Sequence, residues 1–356
     1  MTECRLPMRP FAEFYGNSNV AQTLVHMLEQ QRIAQTILLS GPEGVGKATL
    51  ARRFAAALLG DAVKIDRDDL SLAANLEIIE QREKWTSEKR AEDPLLFSTH
   101  PDFVTFAPEG PLRQLTIQQM RSLRARAQFK PLRGAHRVFL IDHLDRANEQ
   151  SANSLLKVLE EPPEHLVIIA TTENLYDLLP TIRSRSLILQ MSRLSEGEMR
   201  EFADARKLPD ADTRIPLCEG SPGLAVTLDV EQFRERRALI LAALECGAGI
   251  TPFSNWVQQS ESFGTRKSER LDLYLKLAYA VLEDVLRLWQ GIPAVKNRDV
   301  ERRIQAISKA VTFHWIEQAV RCLDELVQMV RRNIQKVPAL DGMIINLRNR
   351  PESMCT

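Results

Sequence analysis

The sequence predicts an α/β protein: a parallel sheet covered by helices, followed by a small helical unit and a helical bundle. Three observations carry this. Short apolar runs alternate with helical periodicity up to about Met191, and strand patterns stop after it. A glycine-rich loop, Gly41-Pro42-Glu43-Gly44-Val45-Gly46-Lys47, joins one apolar run to one helical pattern. At 356 residues the chain is too long for one compact core. Its patterning divides it into 1–190, 191–240 and 241–356.

Thr36–Leu39, Val138–Ile141 and Leu166–Ile169 read as buried strands, and Phe103–Phe106 as a fourth with weaker alternation. Leu50, Phe54 and Leu58, with Ala51 and Ala55, form a helical stripe that Gly60 ends. Thr116 to Gln119 has the form of a capping box opening a helix through about Gln128. Ala152, Leu155, Leu156 and Leu159 mark another helix, stopped by Pro162-Pro163. Residues 61–99 mix charges of both signs with scattered Leu70, Leu76, Ile79 and Trp85, and read as a helical excursion outside the sheet. Residues 195–240 form a helical unit interrupted at Gly220-Ser221-Pro222-Gly223. Helices are expected over 231–246, 267–290, 298–311 and 312–335. The last carries the stripe Ile316, Ala319, Val320, Leu323, Val327, Val330, Ile334.

The loop has strand, spacing, lysine and helix in the order of a phosphate-binding P-loop. Gly41, Gly44 and Gly46 let backbone N–H groups turn toward phosphate oxygens at a helix N-terminus, and Lys47 would reach the outer phosphates. The next residue should carry a hydroxyl for Mg²⁺ and is Ala48. Thr49 cannot replace it, because one helical step rotates a side chain by about 100°. The strand ending at Asp142 supplies the expected acidic residue, but His143 follows where an ATPase of this kind has a glutamate. A histidine base and a hydrogen-bonded surface histidine are both readings of that position.

From Arg137 the chain reads RVFLIDHLDRANEQSANSLLKVLEEPPEHLVIIATTENLYDLLPTIRSRS. This resembles the AAA+ subunits of bacterial clamp loaders over about residues 10 to 190, with a more general likeness beyond. Asn153, Leu155 to Lys157 and Leu159 to Pro163 match the family's helix motif, and Ser184-Arg185-Ser186 its Ser-Arg-Cys ending with serine for cysteine. The resemblance implies an AAA+ domain with a RecA-like parallel sheet, a small helical lid and an all-α collar that assembles subunits. Motor subunits of the gamma/tau type keep a complete P-loop, an Asp-Glu pair and a lid arginine. Ala48, His143 and Gly223 replace those parts, which implies the non-motor delta-prime type within the DNA polymerase III holoenzyme.

The same resemblance implies that Arg185 acts as a finger on a neighbouring subunit's ATP, with Arg183 assisting or supporting its loop. It places Thr171, Thr172 and Asn174 in the sensor region. Partners implied are gamma/tau and delta subunits, and, through the complex, the beta sliding clamp and primer-template DNA. ATP would be bound by partner subunits, with binding here weak or absent, Mg²⁺ unlikely, and no activity expected of the isolated chain. Relatives insert a four-cysteine zinc module after the P-loop. Residues 61–99 contain no cysteine, so no zinc is expected there, and His100 alone makes no metal site. The rival functions are a working gamma/tau-like ATPase using His143 as base, and a stand-alone DNA-binding protein.

Composition narrows the rest. Lys plus Arg equals Asp plus Glu, 47 against 47, so any nucleic-acid surface must be local. One local asymmetry exists: no acid lies between Glu109 and Asp142, while Arg113, Arg121, Arg124, Arg126, Lys130, Arg133 and Arg137 do. Arg121, Arg124, Lys130 and Arg133 are the candidates for contact with DNA phosphates or an acidic neighbour, against a plain solvated surface. No aromatic interleaving suggests base stacking. Five scattered cysteines, without a C-x-x-C pair, fit a reducing cytoplasm. Neither a signal peptide nor a membrane span is expected.

Overall fold

The computed structural model describes residues 11–264, 271–292, 295–330 and 336–348. The chain divides into two compact units, Met1–Leu208 with Cys218–Val226, and Pro209–Leu217 with Thr227–Thr356.

The first unit runs α1 (Ser18–Glu29), β1 (Thr36–Ser40), α2 (Lys47–Leu59), α3 (Ala62–Asp66), α4 (Ala73–Glu83), α5 (Ser87–Glu92), β2 (Leu96–Phe97), β3 (Phe103–Phe106), α6 (Ile117–Ala127), β4 (Arg137–Ile141), α7 (Glu149–Glu160), β5 (Leu166–Thr172), α8 (Pro180–Arg183), β6 (Leu187–Gln190) and α9 (Glu196–Arg206). Its strands make one sheet in the order β2-β3-β4-β5-β1-β6. β3, β4, β5, β1 and β6 are mutually parallel, with Leu38 opposite Ala170 and Ile188.

Side chains alternate between the two faces, as strand geometry requires. Leu38, Phe106, Phe139, Ile141 and Ile168 pack with Met120 and Leu123 of α6 and Leu155 of α7. Ile37, Leu39, Val138, Leu140 and Ile169 pack with Leu24 of α1 and Leu50 and Phe54 of α2. Both faces are therefore covered, which is why these strands read as continuous apolar runs. Each such fully buried side chain contributes about 1.5–3 kcal/mol relative to exposure. Gly60 caps α2 in the left-handed region, and Thr116 and Gln119 form the reciprocal capping box of α6.

Two expectations are corrected. The excursion 61–99 supplies α3, α4 and α5 but does not stay outside the sheet: Leu96–Phe97 pairs antiparallel with β3, so the sheet is mixed at that edge. A two-residue strand is too short to show periodicity. β6 was not expected either; Leu187 and Ile188 are over a third exposed at the opposite edge, where chain direction rather than apolar burial defines the strand.

The remaining helices are α10 (Ala211–Leu217), α11 (Pro222–Thr227), α12 (Val230–Gly247), α13 (Phe253–Gly264), α14 (Leu271–Trp289), α15 (Glu301–Ala310), α16 (Phe313–Val330) and α17 (Lys336–Arg348). α12 to α17 pack around Ile240, Leu244, Trp256, Tyr274, Val281, Ile304, Leu323 and Ile344. The Trp256 indole N–H donates to Asp341 Oδ1 at 2.6 Å and anchors α13, a helix not expected from the pattern. In the α16 stripe Ile316, Ala319 and Leu323 are buried, but Val327 is exposed. The side chain of Val330, together with Ile334 and residues 265–270, lies outside the described residues.

Candidate nucleotide-type site and arginine loop

β5 lies between β1 and β4, so the carboxyl ends of these three strands bring the P-loop, Asp142 and Thr171-Thr172 together. The Gly41 N–H donates to the Thr172 carbonyl at 3.1 Å, tying the loop to the end of β5. Gly44 and Gly46 stand at φ 75° and 97°, left-handed values that allow the loop to turn into α2.

Lys47 does not point outward from this loop. It is buried, and its Nζ donates to the carbonyls of Gly41 at 2.6 Å and Pro42 at 2.8 Å. Burial pushes its pKa down, against the pull of Glu173, Asp142, Asp145 and Glu43. Ala48 offers no hydroxyl. Residues 221–224 pack directly on the loop: Ser221 Oγ donates to the Glu43 carbonyl and the Gly223 N–H to the Gly44 carbonyl, each at 2.8 Å. A Cβ on Gly223 would stand 3.0 Å from that carbonyl oxygen.

Thr171 joins the two acidic-strand ends. Its hydroxyl donates to Asp142 Oδ1 at 2.6 Å and accepts the His143 N–H at 2.8 Å. Thr172 donates to the Asn174 carbonyl at 2.9 Å, and Asn174 Oδ1 accepts the Tyr176 N–H at 3.1 Å. Together they fix the turn after β5.

Arg185 follows α8 on a turn anchored by buried Ile182. Ser186, at the family's cysteine position, donates its hydroxyl to the Ile182 carbonyl at 2.8 Å and closes that turn. The exposed Arg185 guanidinium donates to the Thr181 carbonyl at 3.1 Å and pairs with Glu160, at the end of α7, at 3.1 Å. Arg183 lies over the Tyr176 ring, 5.6 Å from its centroid.

The basic stretch is less uniform than its composition. Arg121, Arg124, Lys130 and Arg133 are exposed, whereas Arg113 pairs with Glu83 at 2.7 Å and Arg137 is buried, donating to the carbonyls of Phe129 and Pro101. The expectation of no aromatic in this surface is corrected: Phe129 and Leu132 are exposed beside Lys130 and Arg133. The fully buried Asp102 carboxylate accepts the Leu132 and Arg133 N–H groups at 2.7 and 2.6 Å, pinning the loop in place.

Sequence reasoning gave no site role to Asp102, Asn17 or Glu160, the last named only within the helix motif. The Asn17 amide donates to the Ser192 carbonyl at 3.0 Å and accepts the Ser192 N–H at 2.7 Å. Asn17 precedes α1 but makes no side-chain cap there, so no local sequence signal reports its pairing with Ser192.

The family model for the DNA polymerase III delta subunit matches residues 16–195. The chain belongs to that family. It is 31% identical over 182 residues to DNA polymerase III subunit gamma/tau of Mycobacterium tuberculosis, covering 49% of this chain and 27% of that protein. It is 30% identical over 217 residues to DNA polymerase III subunit delta' of Pseudomonas aeruginosa, covering 60% of this chain and 61% of that one. Among solved structures, a DNA polymerase III gamma subunit-related protein of Thermotoga maritima matches 92% of this chain and 98% of its own at 19% identity, with a TM-score of 0.45. The fold is a P-loop sheet domain with five parallel strands and one antiparallel edge strand, followed by helices. Among the described residues no helix is long and apolar enough to cross a membrane.

Proposed function

We propose that this chain is a non-catalytic clamp-loader subunit of the delta-prime type. It assembles in the cytoplasm with ATPase subunits of the gamma/tau type and with a delta-type subunit, and the complex places a sliding clamp on primer-template DNA. In that complex Arg185 faces a neighbour's ATP, where a guanidinium neutralises charge developing on the transferred phosphoryl group.

The observation that carries this reading is the engagement of Lys47 with its own loop carbonyls. With Ala48, His143 and Gly223 at the positions for metal hydroxyl, base and lid arginine, the chain's own site lacks the parts that hydrolysis needs. A magnesium–nucleotide complex does not fit the residues as they stand. Arg185 by contrast is exposed on an anchored turn and held by a weak surface ion pair.

The test is reconstitution with ATPase partner subunits, comparing wild type, Arg185→Ala and Lys47→Ala. Arg185→Ala should assemble normally and lose DNA-stimulated ATP turnover and clamp loading, while Lys47→Ala should retain both. Robust magnesium-dependent hydrolysis by the isolated wild-type chain would sink the reading.

A further inference from the structure

The carboxyl ends of β4 and β5 bring together three ligating groups that the preceding reading leaves unused. His143, Asp145 and Glu173 each offer one donor atom, and these atoms lie within 4.8 Å of one another. They come from two turns: residues 143–145 follow β4 and Glu173 follows β5, and the two strands are hydrogen-bonded neighbours.

The histidine ring is the informative member. Its Nδ1 stands 3.5 Å from Glu173 Oε1 and its Nε2 3.9 Å from Asp142 Oδ2. Neither contact is a hydrogen bond, and Nδ1 is buried with no hydrogen-bond partner. The ring is 31% exposed, but its shielded Nδ1 faces carboxylates without a hydrogen bond to either, leaving a lone donor atom free for a metal.

The backbone holds this arrangement. His143 sits at φ 52°, a left-handed conformation costing about 1–2 kcal/mol outside glycine. The Thr171 hydroxyl fixes it there by accepting the His143 N–H at 2.8 Å. Across the gap, the Glu173 N–H donates to Asp145 Oδ1 at 3.3 Å, locking one turn to the other. The charge is unbalanced as well. Asp142, Asp145 and Glu173 all act on Lys47, yet its ammonium donates to loop carbonyls instead. Arg146 pairs loosely with Asp145 at 3.8 Å, and the remaining carboxylate charge is left to the cluster.

We propose that His143, Asp145 and Glu173 form a binding site for a zinc-class dication, with the Asp142 carboxylate beside it. One imidazole with two carboxylates selects a borderline metal such as zinc or cobalt over magnesium, which prefers oxygen donors alone. Metal–ligand bonds of about 2.0–2.2 Å put adjacent donors about 3–3.5 Å apart. The His143–Glu173 pair already meets that spacing, and the Asp145 donor lies within 4.8 Å of both. Three protein ligands leave one position for water. The site differs from the cysteine module that residues 61–99 lack, and it does not depend on the clamp-loader reading.

The test uses the full chain, stripped with a chelator and titrated with Co²⁺ under visible absorption, with Zn²⁺ displacement and thermal melts. One equivalent of Co²⁺ should give d–d bands that Zn²⁺ abolishes, and Zn²⁺ should raise the melting temperature. His143→Asn, in which asparagine tolerates the left-handed backbone, and Glu173→Gln should each lose both signals while melting like metal-free wild type. His314→Ala, an exposed histidine of the second unit, should keep both. Equal Co²⁺ binding by wild type and His143→Asn, a sulfur-to-cobalt charge-transfer band, or no stoichiometric binding each overturns the proposal. Should His143→Asn misfold, Glu173→Gln decides the matter alone by the same readouts.

Discussion

The Arg185 guanidinium and the Glu160 carboxylate stand 3.1 Å apart, joining the turn after α8 to the last residue of α7. Both side chains are more than a third exposed, so the pair contributes only about 0–1 kcal/mol. That weakness matters. Glu160 orients the guanidinium at a strength that a phosphate oxygen, the contact proposed for Arg185, would easily outcompete.

Arg185→Ala should lower the melting temperature by no more than about 2–4 °C, because an exposed pair of this kind adds at most about 1 kcal/mol. In the reconstituted complex it should lower turnover at the facing ATP site by about 10³-fold. Arg185→Lys should recover only part of that loss, since an ammonium keeps the charge without the planar fork. Glu160→Gln tests the orienting role: assembly should be unchanged, with turnover moved by a smaller factor than in either arginine variant. Steady-state ATPase assays on the four complexes read all of these outcomes.

Restoring the lid arginine should not restore an ATPase. The Gly223 N–H is hydrogen-bonded to the Gly44 carbonyl, and a Cβ there would meet that oxygen at 3.0 Å and the Gly44 Cα at 3.1 Å. Gly223→Arg is therefore expected to cost about 1–3 kcal/mol by forcing residues 221–224 off the P-loop. Gly223→Ala should show most of the same cost. Urea midpoints measure both, and an arginine variant of wild-type stability that also hydrolyses ATP would contradict the steric argument.

What was legible in the sequence divides along physical lines. Strands β1, β4 and β5 are buried on both faces, so their apolar runs announced them, and the P-loop announced itself by glycine spacing. β6 and β2 were not legible, because an exposed edge and a two-residue strand carry no periodic signal. The same division runs through the site. Ala48, His143 and Gly223 are departures readable by position. Lys47 turning back on Gly41 and Pro42, and His143 facing Glu173 across two turns, depend on side-chain directions and on a strand pairing that spans about thirty residues. Phe129 is exposed on a loop held by Asp102 and Arg137, contacts that no sequence spacing announces.

The excursion 61–99 is latched to the sheet by buried Arg82. Its guanidinium pairs with Asp93 at 2.9 Å and Glu109 at 3.3 Å, and lies 4.3 Å from the centroid of the Trp85 ring. Glu109 is fully buried, and that burial pushes its carboxyl up despite the pull of Arg82. Arg82→Met removes the cation and leaves the carboxylate uncompensated, which should destabilise the first unit by about 3–5 kcal/mol. Adding Glu109→Gln should return part of the loss, and the double-mutant cycle in urea gives the coupling. Additive effects of the two substitutions would show that the latch lies elsewhere.

Lys47 makes a prediction with a definite sign. Burial lowers its folded-state pKa below the ordinary 10.5, the value the unfolded chain keeps. Between the lowered value and 10.5 the unfolded chain holds a proton that the folded chain has released, so stability rises with pH across that window. Below the window both states are protonated and above it both are neutral, so the contribution is flat on either side. Lys47→Met removes this titration while every other group is common to both proteins. The stability of wild type minus that of Lys47→Met, from urea unfolding at a series of pH values, should therefore climb with pH below 10.5 and level off near it. Parallel profiles would mean that Lys47 keeps its ordinary affinity for a proton. Its hydrogen bonds to Gly41 and Pro42 would then be exchanging with water, and the closed P-loop on which the non-catalytic reading rests would be open.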